Sequence, residues 1–321
     1  MTEAVTFVIP TYNSSLFIRR TIDACIVAAD HAGASAEFVL VDDVSPDLPR
    51  LRLIVDRYVE RQIRVRLIEK AAKTNAAHSR NMGIDAALGN YIFMVDSDDL
   101  LLPDYVGRRI SMMRESRHAA VIFGDFCNVR EGGEPERSSV TDYLEDMSPV
   151  NYLFGKGGDI RSSTISFPKS LAPLARFDEN QKKHQDWGFL INNRKRGIKF
   201  KFDKVPGVLI EIGRPGQMSA QMNLEASQYF MDHCLSGESR AGRRIFFILH
   251  VRKALAQGDL PALRFFVNEL RNDRPTLFLN ACVRALSIAP SRPQWAWRAS
   301  GQAAKGLYVI AKRILRRTRN P

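Results

Sequence analysis

The sequence predicts an α/β protein: a mostly parallel sheet flanked by helices, followed by a helical extension. Three observations predict it. Short runs rich in β-branched and aromatic residues, Val5–Ile9, Phe38–Val41, Val65–Ile68 and Tyr91–Val95, alternate with longer segments of helical apolar spacing. That alternation marks strand–helix–strand units with parallel strands. Three of the runs end in polar clusters, Thr11–Asn13, Asp42-Asp43 and Asp96–Asp99, where open α/β sheets bind their ligands.

In chain order, Val5–Ile9 reads as a buried strand halted by Pro10, since proline cannot donate to a ladder. Ser14 or Ser15 is placed to cap a helix carrying Leu16, Ile18, Ile22, Cys25 and Ile26. Phe38–Val41 is the second strand, Leu51–Val59 a helix, and Val65–Ile68 the third strand. Ala76–Leu88 reads as a helix closed by Gly89, leading into the Tyr91–Val95 strand. Val121–Phe123 is a further strand, and residues 131–149 are polar and turn-rich, the composition of a mobile surface insertion. Ser162–Phe167 has strand character, and Trp187–Arg194 is helical with Asp186 at its cap position.

The chemistry concentrates where the Tyr91–Val95 strand meets Asp96, Ser97, Asp98 and Asp99. Asp96 and Asp98 are two apart, so in an extended segment they project to the same side. Carboxylates that converge repel each other unless a cation lies between them, and this ligand type suits Mg²⁺ or Mn²⁺ completed by water and phosphate oxygens. The bland reading is a solvated turn. A calcium loop counted from Asp96 fails, because its sixth and twelfth positions hold Leu101 and Gly107. The first strand is followed by neither Gly-x-Gly-x-x-Gly nor a Walker phosphate loop, which disfavours a dinucleotide oxidoreductase and a P-loop NTPase.

Composition bounds the rest. Hydrophobic residues at 45% and charged residues at 26% are ordinary globular values. Of the net charge of +12, most lies from Ala241 onward, where about 16 Lys/Arg face about 3 Asp/Glu. That segment reads as helices over Ile245–Leu255, Pro261–Leu270 and Thr276–Leu286, with a last one after Gln302. In the last, Leu307, Ile310, Ala311, Ile314 and Leu315 share one face and Lys305, Lys312, Arg313 and Arg316 the other. With Trp295 and Trp297 before it, the helix suits either an anionic membrane surface or packing on the main domain. Aromatic residues are not interleaved with its charges as on a nucleic-acid-binding sheet, so no nucleic-acid partner is expected. The four cysteines, Cys25, Cys127, Cys234 and Cys282, show no metal or disulfide spacing. With no signal-peptide pattern and no apolar run long enough to span a bilayer, the expected location is cytoplasmic, at most peripheral at the inner membrane face.

Val-Ile-Pro-Thr-Tyr-Asn (8–13), Val-Asp-Asp-Val-Ser (41–45), Ser-Arg-Asn-Met-Gly-Ile (79–84), Gly-Asn-Tyr-Ile (89–92) and Asp-Ser-Asp-Asp (96–99) resemble, in order and spacing, the family 2 glycosyltransferases. The resemblance implies the GT-A fold and an inverting, metal-dependent transfer of sugar from a nucleoside diphosphate, most simply UDP. The acceptor would be a hydroxyl of a polysaccharide or lipid-linked glycan. It implies that Pro10 and Tyr12 wall the nucleobase pocket, with Thr11 and Asn13 beside them, and that Asp43 bonds the base. Arg80 would approach the nucleotide, Asp96 and Ser97 the ribose or sugar, and Asp98 would ligate Mn²⁺ or Mg²⁺ with Asp96 and Asp99.

Further on, Phe177-Asp178-Glu179 and the Gln185-Asp186-Trp187 segment resemble the family's acceptor side, where Asp186 matches the general base. Gln185 replaces a usual Glu. His184 is a rival base, and Trp187 could stack on an acceptor sugar or serve the core. Arg214, in a Gly-Arg-Pro-Gly setting, matches a phosphate-closing loop position usually held by histidine. Lys73 and Asn75 replace a usual Asn-x-Gly, and His78 and Ser79 replace small residues. The expected division is 1–220 catalytic, with halves 1–105 for nucleotide-sugar and 106–220 for acceptor, and 221–321 a basic helical extension. The rivals are a sugar-nucleotide nucleotidyltransferase, which should carry a glycine-rich basic loop after the first strand, and a non-catalytic scaffold of the same fold.

Overall fold

A computed structural model describes residues 3–213 and 221–273. Its elements run β1 (Ala4–Thr11), α1 (Ile18–His31), β2 (Ser35–Asp42), α2 (Leu48–Glu60), β3 (Arg64–Glu69), α3 (Ala76–Ala86) and β4 (Tyr91–Met94). They continue as β5 (Leu100–Leu101), α4 (Tyr105–Glu115), β6 (Ala120–Gly124), β7 (Cys127–Val129), β8 (Glu136–Arg137), β9 (Ser166–Pro168), α5 (Gln185–Lys195), β10 (Lys199–Asp203) and β11 (Val208–Glu211). Three helices follow, α6 (Leu224–Phe230), α7 (Arg240–Gln257) and α8 (Leu260–Asn272).

Seven strands form the main sheet in the order β10-β6-β9-β4-β1-β2-β3. β1 pairs parallel with β2 and β4, and β2 with β3. The carboxyl ends of β1, β2 and β4 therefore share one edge, which brings Thr11, Asp42 and the Asp96 turn together. β9 runs antiparallel to both β4 and β6, so its amino-terminal end returns to that same edge. A smaller sheet has the order β5-β11-β7-β8. The core is built from the inward positions of the strands and the apolar stripes of the helices; Phe7, Phe38 and Phe93 are fully buried and pack ring to ring at 5.2 and 5.6 Å.

Several local expectations are corrected. β1 does not stop at Pro10, because the parallel ladder to β2 carries through to Thr11. Neither Ser14 nor Ser15 caps α1 by its side chain; the Ser14 carbonyl accepts from Phe17 and Ile18, and its hydroxyl is turned to Tyr12 and Ser97. Gly89 is no left-handed stop for α3, which ends at Ala86. It is required instead because a Cβ there would stand 2.7 Å from the Val5 backbone. Ser162–Thr164 is a 3-10 turn, with strand pairing only from Ser166. Within 131–149, Glu136–Arg137 pairs with β7 and Tyr143 is buried.

The chain divides into two compact units, Met1–Pro149 with Gly158–Pro215, and Val150–Gly157 with Gly216–Pro321. The first holds both sheets. The second includes α6 to α8 and a turn at Asn151–Gly155, whose core stacks Phe154, Phe230, Phe246 and Phe266. α7 and α8 cover the expected helices at Ile245–Leu255 and Pro261–Leu270. Thr276–Leu286, Trp295, Trp297, the helix after Gln302 and Arg214 lie outside the described residues. Among the described residues, no helix is long and apolar enough to cross a membrane.

Candidate active site

The acidic turn hangs from β4. The Asp96 amide donates to Ser163 Oγ at 2.9 Å, and the Asp99 amide closes the turn on the Asp96 carbonyl. Asp96 and Asp98 are half-buried, whereas Asp99 is buried. Asp99 faces inward, accepting from Ser163 Oγ at 2.5 Å and from the Glu211 amide. Burial, then the repulsion of Asp96 and Asp98, pushes its carboxyl well above the usual carboxylate range. Asp99 thus buttresses the turn from within, its carboxyl turned to Ser163 and the Glu211 amide.

Among the described residues no group of three His, Cys, Asp or Glu side chains is arranged to enclose a metal. The donor set nonetheless fits a partial site. Asp96 and Asp98 supply one or two carboxylates, the number Mg²⁺ or Mn²⁺ takes from protein when phosphate and water complete the shell. The mutual repulsion registered at Asp99 is an excess of negative charge that a divalent cation would offset.

Arg80, on the first half of α3, joins this turn to the start of α5. Its NH2 donates to Asp96 Oδ1 at 2.6 Å and its NH1 to Gln185 Oε1 at 2.9 Å, and the guanidinium lies over Phe177. Burial opposes its charge, but Asp96, Asp186 and Asp99 outweigh that and raise its pKa. The next residue, Asn81, fixes the opposite segment by bonding the Phe177 amide and carbonyl and Glu179 Oε1. The departures at 78 and 79 belong to the same joints: His78 Nδ1 meets Glu179 Oε2 at 3.0 Å, and Ser79 Oγ accepts from Lys70.

Asp186 sits in the first turn of α5 rather than at its cap, which is His184 in a left-handed conformation (φ 59°). Ser162 Oγ donates to Asp186 Oδ1. Burial raises the Asp186 carboxyl above its ordinary value; Arg80 draws it down, Asp96 pushes it up, and Ser162 and Arg161 draw it down again. Those influences put Asp186 beside Asp96, although the two are far apart in sequence. His184 stacks on Trp187 with ring centres 4.9 Å apart, and Trp187 Nε1 donates to Asp159 Oδ1.

On the other flank lies the expected nucleotide pocket. Tyr12 is exposed, Pro10 half-buried, and Lys73 Nζ stands 3.4 Å from the Tyr12 ring centre. Asp43 Oδ1 accepts from Lys70 Nζ at 2.6 Å and from the Thr74 amide at 2.8 Å. Thr11 and Ser45 both donate to Asp42, and the Asn13 amide donates to Ser45 Oγ. Those bonds hold Asn13 (φ 51°) and the β-branched Val44 (φ 58°) in the left-handed region, a strained conformation for valine that the surrounding bonds must maintain. Ser97 Oγ is 2.8 Å from Ser14 Oγ, which ties the acidic turn to the end of β1.

The structure therefore gathers Pro10, Thr11, Tyr12, Asn13 and Asp43 on one flank, the Asp96–Asp99 turn in the middle, and Asp186 beyond Arg80. Sequence reasoning missed Lys70, Arg161, Ser162 and Ser163. Lys70 follows a strand as an ordinary surface lysine would. Ser162 and Ser163 lie in a segment read as strand, with Arg161 just before it, and nothing local there signals that β9 reverses direction.

A parallel sheet bearing an acidic turn at its carboxyl edge, joined through a buried arginine to a helix-borne aspartate, is a GT-A type glycosyltransferase architecture. The family model "Glycosyl transferase family 2" matches residues 6–164, and through that segment the chain belongs to this family. The amylovoran biosynthesis glycosyltransferase AmsB of Erwinia amylovora is 30% identical over 197 residues, 60% of this chain and 64% of that protein. This chain thus matches just under two thirds of that relative's length. Among solved structures, S. aureus TarS 1-349 in complex with UDP-GlcNAc superposes with a TM-score of 0.61 at 16% identity, over 98% of this chain and 90% of that one. The mannosyltransferase PcManGT of Pyrobaculum calidifontis, in complex with GDP-Man and Mn²⁺, gives 0.52 at 15% identity, over 98% and 87%. At such identities the two structures speak for the fold.

Proposed function

We propose that the chain is an inverting glycosyltransferase that moves a sugar from a nucleoside diphosphate, most simply UDP, to a hydroxyl of a polysaccharide or lipid-linked glycan. One observation carries the reading: a single buried guanidinium touches Asp96 and the residue preceding Asp186. The acidic turn and the candidate base are thereby two sides of one site. UDP-GlcNAc in TarS and GDP-Man with Mn²⁺ in PcManGT support a nucleotide-sugar donor and a divalent cation on this fold.

In this reading Tyr12 and Pro10 take the base, with Asp43 held in place by Lys70 and Thr74. Asp96 and Asp98 would hold Mn²⁺ or Mg²⁺, which when bound would neutralise charge on the diphosphate leaving group. Asp186 accepts the proton of the acceptor hydroxyl as that oxygen attacks the anomeric carbon on the face opposite the departing diphosphate. Arg80, Ser162 and Arg161 favour the ionised form of Asp186 against its burial, which still leaves its pKa raised. The raised pKa of Asp186 makes it a stronger base than an exposed aspartate.

The test is UDP release from a panel of UDP- and GDP-sugars, with and without Mn²⁺. Release should require the cation, disappear in Asp98→Ala, and fall by about 10²–10⁴-fold in Asp186→Asn with UDP affinity retained. Full turnover by Asp186→Asn would remove Asp186 from the base role, and transfer of a nucleotidyl group with pyrophosphate release would replace the reading altogether.

A further inference from the structure

Arg161 acts on Asp186 by its charge, but the proposed reaction gives its two terminal nitrogens no task. The segment around it runs beside the first turn of α5. Asp159 Oδ1 accepts from Trp187 Nε1 at 2.9 Å and Ser162 Oγ donates to Asp186, so Arg161 is bracketed by two contacts to adjacent residues of that helix. Its Nε stands 2.9 Å from Asp159 Oδ2, and its guanidinium lies 5.6 Å from the centre of the Phe126 ring. The side chain is anchored at its base and over its face, yet 39% exposed.

Arg80 has spent both terminal nitrogens, on Asp96 and Gln185. Arg161 has one carboxylate partner, at Nε, and no hydrogen bond from either terminal nitrogen among the described residues. Such a fork, pre-oriented and accessible, matches the two oxygens of a carboxylate or phosphate. The charges of Asp186 and Asp99 also act on it, so it belongs to the same electrostatic neighbourhood as the candidate base.

We infer that Arg161 is an anion-binding residue on the Asp186 side of the site, taking a phosphate or carboxylate group of a substrate. The inference rests on the reading of Asp186 as the base, which makes this the side where an acceptor approaches. The anion has two possible sources: an acidic group on the acceptor, such as a uronate, or the diphosphate of the donor reaching across.

Four probes separate these sources on the full chain: UDP and uridine by calorimetry, and methyl β-glucuronide and methyl β-glucoside by saturation-transfer NMR. Arg161→Gln should weaken one anionic probe by about tenfold and leave its neutral counterpart unchanged, with Arg161→Lys in between. Loss confined to the glucuronide assigns the acceptor as the anion's source, and loss confined to UDP assigns the donor. Equal affinity of Arg161→Gln and the parent chain for both anions overturns the inference, as does parallel loss of uridine and glucoside, which would mean general damage. A parent chain that binds the glucuronide through Arg161 but neither UDP nor uridine would sink the nucleotide-sugar reading while leaving the anion site standing.

Discussion

At the carboxyl edge of β4, Asp99 is buried beneath two further carboxylates and held by a serine and a backbone amide. Across Arg80, Asp186 is also shifted upward by burial, but two guanidiniums and a serine hydroxyl draw it back. The same residue type thus serves opposite ends. On one side carboxylates are crowded until they call for a cation. On the other a single carboxylate has two guanidiniums and a hydroxyl nearby, which favour its ionised form against its burial. Charge balance around each aspartate, rather than the aspartate itself, separates the edge proposed to hold a metal from the one proposed to accept a proton.

The contrast depends most on the residue between the two sides. Arg80→Met should blunt both, stranding Asp96 and loosening Gln185. Because Asp96 is 34% exposed, the loss of stability is about 1–3 kcal/mol rather than the full cost of breaking a deeply buried pair. Urea unfolding measures it, and transfer activity should fall with it. A variant as stable and active as the parent would show that the two sides do not need Arg80.

A second change acts on the crowded side alone. Asp99→Asn keeps an acceptor for Ser163 while removing one of three mutually repelling charges. Asp99 has a pKa raised above 3.8, so its repulsion is absent in acid and sets in as pH rises from 3.8 through the raised value. The variant should therefore melt a few degrees higher than the parent at pH above that window in the absence of divalent cation, and the gain should vanish below it. Scanning calorimetry across pH decides it, and a melting temperature that never exceeds the parent's as pH rises would contradict the crowding account.

The smallest effect is expected on the other side. Ser162→Ala removes a bond that holds the Asp186 carboxyl down, so its pKa rises further. A base must be ionised to act, so the acid limb of the rate profile should move to higher pH, with loss at neutral pH within about tenfold. An unmoved acid limb would mean that Ser162 only packs.

Much of this was legible along the chain. The strands at Phe38, Val65 and Tyr91 announced themselves by composition, and the helices between them by spacing. The acidic turn was visible because three aspartates follow an apolar run directly. Its inner division was not: Asp98 and Asp99 are neighbours, and only the position of Ser163 and the Glu211 amide turns one of them inward. Asp186 could be singled out by its resemblance to a family position, but its partners could not, because Ser162 and Arg161 approach it only through the reversed direction of β9.

The sequence by itself determined the alternation of strands and helices, the common edge on which the polar strand ends gather, and the residue types available there. Those follow from local periodicity and from the rule that consecutive crossover strands run parallel. Tertiary structure decided which carboxylate faces solvent, which arginine is spent and which is left open, and how far each aspartate is shifted. These properties depend on groups brought together from distant parts of the chain, and electrostatic interactions depend on distance in space, not on separation in sequence.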